Sequence, residues 1–259
     1  MLLGGDRISL PADVTFASGV VSDSVRQASW PVNPGGAYVL ARSGDTLAAI
    51  TDGLAATYGI DERRAAADVA SFVARLNRLL LLNVRTPRRL RRWIALTIRL
   101  LPLRSLPEPR ARRIALTQRR LMKVVAALVP RAALLALAAG LPLAATGLLT
   151  PSAAAVVGVA AGIGLIVHEA GHVVALGGRP AALVFYGCSV FVLHPSVTGP
   201  RGALVALAGP SVPAALGVLL IEAAATAAAP AVALAGALLA LHAVGATVFA
   251  RDGRTACGL

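Results

Sequence analysis

Acidic residues are scarce in this chain, and so are cysteine, histidine and aromatics. Of 259 residues, 12 are Asp or Glu, 4 are His, 2 are Cys and 4% are Phe, Trp or Tyr; charged residues of both signs make up 14%. The two cysteines, Cys188 and Cys257, are too few for a disulfide framework, and each reads as an inert thiol. So few charges beside 57% hydrophobic residues exclude a disordered chain and disfavour an ordinary water-soluble enzyme. What the chain has in excess is positive charge, 25 Lys and Arg, for a formal net charge of +13. Such an excess marks either a nucleic-acid surface or the cytoplasmic flank of a membrane protein, and its placement decides between them.

The charge sits in one stretch. Val84 to Lys123 holds thirteen basic residues, from Arg85 through Arg113 to Lys123, with Glu108 as its one acid. Pro87, Pro102, Pro107 and Pro109 prevent a single continuous helix there, and 84–123 reads as a cytoplasmic juxtamembrane linker lying on anionic lipid. It abuts an apolar region and has few aromatics for base stacking, so nucleic acid is not the expected partner. From Val124 to Ala250 the charged residues are Arg131, Glu169, Arg179, Arg201 and Glu222. Apolar runs of roughly 20 residues, the length needed to cross a bilayer, predict about four spans. They are placed at Leu128 to Leu149, Ala153 to Gly177, Gly202 to Ala224 and Pro230 to Ala250. Abundant Gly, Ala and Ser permit close helix contact. Every flanking Lys and Arg falls on one side of these spans, which predicts a multi-pass protein of the cell membrane with both termini cytoplasmic. Met1 to Phe16 contains Asp6, Arg7 and Pro11 and lacks the apolar run of a signal peptide.

Residues 1–83 have the texture of a folded head outside lipid. Val14 to Val21 and Val25 to Val32 read as strands joined near Ser22 to Ser24. Asp45 to Tyr58 and Ala65 to Leu82 repeat apolar residues at helical spacing. The expected fold class is an α+β winged-helix-like N-terminal domain followed by an all-α polytopic membrane domain with a short β-hairpin. Val32-Asn33-Pro34, Gly44-Asp45, Leu47, Ile50, Leu54, Tyr58-Gly59-Ile60, Val69, Phe72-Val73, Leu76 and Leu79-Leu80 resemble the PqqD-like domains, also called RiPP recognition elements. The resemblance, over about 12–83, implies a domain that binds the leader segment of a ribosomally made precursor peptide as a strand added to its sheet edge.

His168-Glu169-Ala170-Gly171-His172 is the sharpest local signal. Two His at i and i+4 lie one helical turn apart and can share a Zn2+ ion, with the intervening Glu as the base acting on its water. Ionisable groups inside an apolar span are costly unless they pair, bind metal or line a polar cavity. A catalytic zinc takes three protein ligands, and the candidates for the third are His194, His242 and Asp252. Asp252 is the expected one, because it lies at the same end of its span as the His pair; His242 reads as a supporting group and His194 as a loop residue. Between the second and third spans, Ala182 to Tyr186 and Ser189 to Leu193 predict a hairpin whose free edge suits an extended substrate.

The zinc motif, Ala208-Gly209-Pro210 and Asp252-Gly253 together resemble the site-2 protease family of intramembrane zinc metallopeptidases over about 124–259. The resemblance implies His168, His172 and Asp252 as zinc ligands and Glu169 as catalytic base. The chain lacks the Asn that the family commonly carries after Gly-Pro and the Asn-Pro-type segment before Asp-Gly. The expected function is a membrane-embedded zinc endopeptidase that recognises and cleaves a precursor peptide during its maturation or export. Its partners would be the leader peptide, the lipid membrane, and peptide-modifying enzymes or an exporter. The alternative is a non-catalytic membrane adaptor that docks the precursor for a transporter or modifying enzyme.

Overall fold

The structure is a computed structural model that describes residues 4–86, 111–117, 121–186 and 189–246. The chain divides into two units, Met1–Thr117 with Pro180–Pro195, and Gln118–Arg179 with Ser196–Leu259.

The first unit begins with strand β1 (Arg7–Ser9), followed by β2 (Val14–Ala17), β3 (Val20–Asp23) and β4 (Ala28–Pro31). β2, β3 and β4 form an antiparallel meander in that order. The expected two strands are therefore three. Ser18 and Gly19 both take positive φ, at 50° and 74°, and turn the chain in two residues. That left-handed pair matches the twist of a tight hairpin, and the apolar pattern of Val14 to Val21 does not reveal it. The second turn is built by Asp23, whose carboxylate accepts from the Val25 and Arg26 amides at 2.9 and 3.0 Å.

Three helices follow. α1 (Pro34–Ala41), which the periodicity did not predict, starts on an Asn33 cap with Pro34 in its first turn. α2 (Leu47–Tyr58) is capped by Thr46 and stopped by left-handed Gly59, and α3 (Glu62–Arg78) is capped by Asp61. β5 (Asn83–Arg85) returns to pair antiparallel with β1. Ile8, Val21, Val39, Leu40, Ile50, Val69, Val73 and Leu81 fill the core between sheets and helices.

The basic stretch contributes structure as well. Within it, β6 (Ala111–Ala115) pairs with β7 (Ala182–Tyr186), which pairs with β8 (Ser189–Leu193), all antiparallel. The expected hairpin thus gains a third strand from residues read as linker, while 87–110 lie outside the described residues. β7 is central, and Ala182 through Phe185 are all buried, which explains its unbroken apolar run.

Two asparagines fasten β6 to the head. The Asn77 amide donates to Ala111 O and Leu82 O and accepts from the Ala111 amide, while Asn83 brackets Arg113 in the same two-way fashion. The Arg113 guanidinium, 1% exposed, donates to both Asp13 and Asp23 at 2.6 to 2.9 Å and to Leu80 O at 3.3 Å. Burial alone would raise the Asp23 pKa. Hydrogen bonds from Arg113 and Arg26 overcome that and hold it well below the usual carboxylate range. Burial likewise pulls the Arg113 pKa down, and the two carboxylates reverse the shift upward.

The second unit consists of α4 (Leu121–Ala145), α5 (Pro151–Leu176), α6 (Gly199–Ala227) and α7 (Pro230–Ala240), with a 3-10 turn at Leu241–Ala246. The first three are long and apolar enough to cross a membrane, with mean hydropathies of 2.1, 1.8 and 2.1 over an 18-residue window within Met122–Ala145, Pro151–Leu176 and Gly199–Ala227. The fourth expected span is not confirmed: Pro230–Gly245 is a shorter apolar helix among the described residues. α7 has 11 residues and then tightens into the 3-10 turn, and 247–259 lie outside the described residues.

Small residues set the helix contacts. α4 and α5 run antiparallel with Ala132, Ala136 and Gly140 against Gly162, Gly158 and Ala154; a Cβ on Gly140 or Gly162 would come within 2.8 or 2.7 Å of the opposite backbone. Proline inside α4 frees backbone carbonyls, and near Pro130 the Arg131 guanidinium donates to Ala127 O at 2.7 Å. Large apolar side chains including Leu137, Leu141, Val159, Leu204 and Leu219 point outward, more than half exposed, as on a lipid-facing surface. α5 is the most enclosed of the three long helices, 44% buried against 28% and 33%.

Candidate functional site

α5 carries the zinc motif in its last turns. It is capped at Thr150, begins with Pro151 and ends on left-handed Gly177, so His168, Glu169 and His172 fall within regular helix. The four-residue spacing puts both imidazoles on one face, and their Nε2 atoms lie 3.3 Å apart. Two nitrogens bound to one tetrahedral zinc at about 2.0–2.1 Å stand roughly 3.3–3.4 Å from each other. The His pair therefore fits a shared metal ion.

Its surroundings fit too. His172 Nδ1 lies 2.7 Å from the Val205 carbonyl on α6. A carbonyl only accepts, so Nδ1 carries the proton and Nε2 keeps its lone pair, the tautomer of a metal ligand held by its second nitrogen. Glu169 is buried, 5% exposed. The close approach of α6 depends on glycine. A Cβ at Gly209 would overlap the His172 ring, and one at Gly171 would overlap the Ala208 carbonyl. The Gly of Ala208-Gly209-Pro210 thus makes the room that His172 occupies, a role the motif alone did not disclose.

His242 stands in the 3-10 turn with its ring centroid 5.8 Å from that of His168. His194 belongs to the other unit, where its Nδ1 donates to Pro195 O at 2.7 Å. Asp252 lies outside the described residues. Among the described residues no three His, Cys, Asp or Glu side chains converge closely enough to hold a metal. The structure brings together the two His of the motif, with His242 next to them.

The head offers a different chemistry. β4 is an edge of its sheet, and among the described residues no strand pairs along its outer side. The Val32 amide donates to Gly19 O at 2.8 Å, so Val32 and, by alternation, Trp30 and Ala28 turn their backbone groups inward toward β3. Ser29 and Pro31 turn theirs outward. Proline removes one outward donor and leaves a short edge offering the Ser29 amide and two carbonyls, enough to guide one added strand. Beside it a cavity of about 290 Å³ is lined by residues that include Ala12, Thr15, Ser22, Gln27, Ala28 and Ser29.

Residues 19–82, a quarter of the chain, match the family described as Coenzyme PQQ synthesis protein D (PqqD). That stretch is a PqqD-like domain. The match runs from the β2–β3 turn to the end of α3 and includes the open β4 edge. No curated protein and no solved structure matches the chain.

The structure also discloses residues the sequence could not single out. Arg113 is one of thirteen basic residues in its stretch, and nothing local marks it as the one that is buried. Its β-branched and apolar neighbours, Ile114 and the strand Leu183-Val184-Phe185, were the available signal.

Proposed function

We infer that the chain is a membrane-embedded zinc endopeptidase that takes hold of a ribosomally made precursor peptide through its PqqD-like domain and cleaves it. The observation that carries this reading is the 3.3 Å separation of the His168 and His172 Nε2 atoms within a membrane-length helix. In this reading His168 and His172 hold the ion, with Asp252 as the expected third ligand. When bound, zinc polarises the scissile carbonyl and acidifies a water molecule. Glu169 accepts the proton of that water on a carboxylate oxygen and returns it to the leaving amine. The Val205 carbonyl fixes the His172 ring, and burial in an apolar helix keeps bulk water away from the Glu169 carboxylate. The leader segment adds as a strand to β4. The basic flank keeps the head on the cytoplasmic face of the cell membrane, where a newly made peptide arrives.

The decisive experiment is Glu169→Gln in the purified full chain. Zinc content should stay at the wild-type level while peptide cleavage falls by at least about 100-fold, the lower end of what general acid–base catalysis contributes. A variant that cleaves at the wild-type rate sinks the assignment. Leader binding is tested separately. Ser29→Pro removes the one outward-facing amide of β4, and the affinity for a leader peptide should fall by about tenfold, the worth of a hydrogen bond in a strand pair.

A second reading is a non-catalytic adaptor that docks the precursor for a transporter or a modifying enzyme. It is favoured by the convergence of only two metal-capable side chains among the described residues. Zinc separates the readings: a full chain purified without stoichiometric zinc, and unable to take it up, is the adaptor.

A further inference from the structure

The last four carbonyls of an α-helix have no partner within it, and the helix dipole favours a cation beside them. α5 has no basic residue in its own last turn. Its final residue, Leu176, is 1% exposed, so the Leu176 carbonyl has next to no water to turn to. The Arg201 guanidinium on α6 answers it, donating to Leu176 O at 3.2 Å. On its own helix that cation stands at the wrong end. Arg201 is the third residue of α6, where the dipole favours an anion, and the first turn holds no acid to offset it. Arg201 is thus misplaced for α6 and well placed for α5. Glycine again leaves the room, because a Cβ on Gly177 would stand 3.0 Å from a nitrogen of the same guanidinium.

The cross-link repeats one turn further in. Leu176 follows His172 by four residues on α5, and Val205 follows Arg201 by four on α6. The 3.2 Å bond from Arg201 to Leu176 and the 2.7 Å bond from His172 to Val205 are therefore successive rungs between the two helices. We propose that Arg201 is a positioning residue for His172: by holding the end of α5 against the start of α6, it fixes the level at which the Val205 carbonyl meets His172 Nδ1. The proposal deepens the zinc reading above and rests on it for the use to which the ring is put. Without Arg201 the buried Leu176 carbonyl loses its donor and the last turn of α5 opens toward water. His172, one turn back, then loses its register with Val205. Its imidazole is free to take either tautomer, and Nε2 is no longer reserved for a metal.

The test uses the purified full chain in detergent, free of metal, with isotope-labelled histidines assigned by substituting each of the four in turn. In a long-range proton–nitrogen correlation spectrum, wild-type His172 should show a single tautomer, protonated on Nδ1 and bare on Nε2. In Arg201→Met that signal should give way to a mixture of tautomers. Amide exchange from Val173 to Leu176 should quicken by about tenfold, the worth of one hydrogen bond, while Val157 to Gly162 beside α4 stays protected. Arg201→Lys keeps a charged donor and should restore the wild-type His172 signal, a rescue that packing alone does not give. An unchanged His172 signal in Arg201→Met overturns the proposal, and so does Arg201→Lys behaving like Arg201→Met. Loss of protection along the whole of α5 overturns it too, because Arg201 would then hold the bundle rather than one ring. Failure of the zinc reading is distinct: the wild-type chain then takes up no zinc when titrated with it, whatever the metal-free spectra show.

Discussion

In the peptide-binding unit buried charges answer one another. Arg113 places its guanidinium between Asp13 and Asp23, and Asp23 also holds Arg26. In the helical unit two groups of the same kind meet. His168 and His172 bring nitrogens to 3.3 Å, and two such lone pairs are stable together only with a proton or a cation between them. The difference separates structure from function. The carboxylate–guanidinium cluster serves to hold β6 and its sheet to the head. The imidazole pair is held by the Val205 carbonyl on His172 Nδ1 and by the contact between the two Nε2 atoms, and the helices around it give up side-chain volume at Gly171 and Gly209.

The sharpest way to break this contrast is to remove the closure. Arg113→Met leaves Asp13 without its cation and Asp23 with Arg26 alone, and breaking such a buried pair costs about 3–5 kcal/mol. Hydrogen exchange of Val20–Asp23 in the full chain should accelerate accordingly, while exchange in α5 stays as it was. Acid should weaken the wild-type head as well. The folded pKa of Asp23 is depressed, so its contribution is fully present above the unfolded value of about 3.9 and is lost as pH falls below it. In Arg113→Met that acid dependence should be lost or reversed. Equal acid sensitivity in variant and wild type would show that the cluster is not what Asp23 reports.

The next largest effect opposes two glycines. Gly209→Ala drives a methyl group into the His172 ring, which is pinned between helix and carbonyl and cannot retreat. Overpacking of this sort costs about 1–3 kcal/mol, and zinc affinity should fall by about tenfold or more as the ring leaves its place. Gly53→Ala in the head also makes a collision, but with the hydroxyl tip of Tyr38, whose long side chain can swing aside. Leader binding and thermal stability should then stay within about 0.5 kcal/mol of wild type, as for most surface changes. Zinc titration and a thermal melt measure both in one preparation each.

What could be read from the sequence follows the range over which each signal acts. Helices α2 and α3 and the three long apolar helices repeat their pattern every turn, and the zinc motif needs only five consecutive residues. The Ser18-Gly19 turn escaped because an apolar run is silent about φ, and α1 because it is short and rich in glycine. β6 escaped for a different reason: its partner β7 is about 70 residues away in the chain, and Asn77, Asn83 and Asp13 become its ligands only after folding. Apolar composition also does not say where an α-helix tightens into 3-10, as α7 does at Leu241. Gly209 looked like one among many small residues until the imidazole it accommodates was in place.

The smallest predicted effect compares the same device in both units. Asp61 caps α3, accepting from the Arg63 and Arg64 amides at 2.9 and 3.2 Å, and Thr150 caps α5, accepting from the Ala153 amide at 3.3 Å. A lost cap usually costs about 1 kcal/mol, and a carboxylate at a helix start gains further from the helix dipole. α3 depends on that end, because its 17 residues must hold Asn77 in register with β6. α5 has 26 residues, a seam of small residues along α4, and an exposed first turn where solvent can replace the lost hydroxyl. Asp61→Ala should therefore lower head stability by about 1 kcal/mol, whereas Thr150→Ala should change zinc affinity and thermal stability by no more than a few tenths of a kcal/mol. If Thr150→Ala costs as much as Asp61→Ala, the start of α5 is not held by its neighbours, and the rigidity on which the His168–His172 geometry depends must come from the α6 side alone.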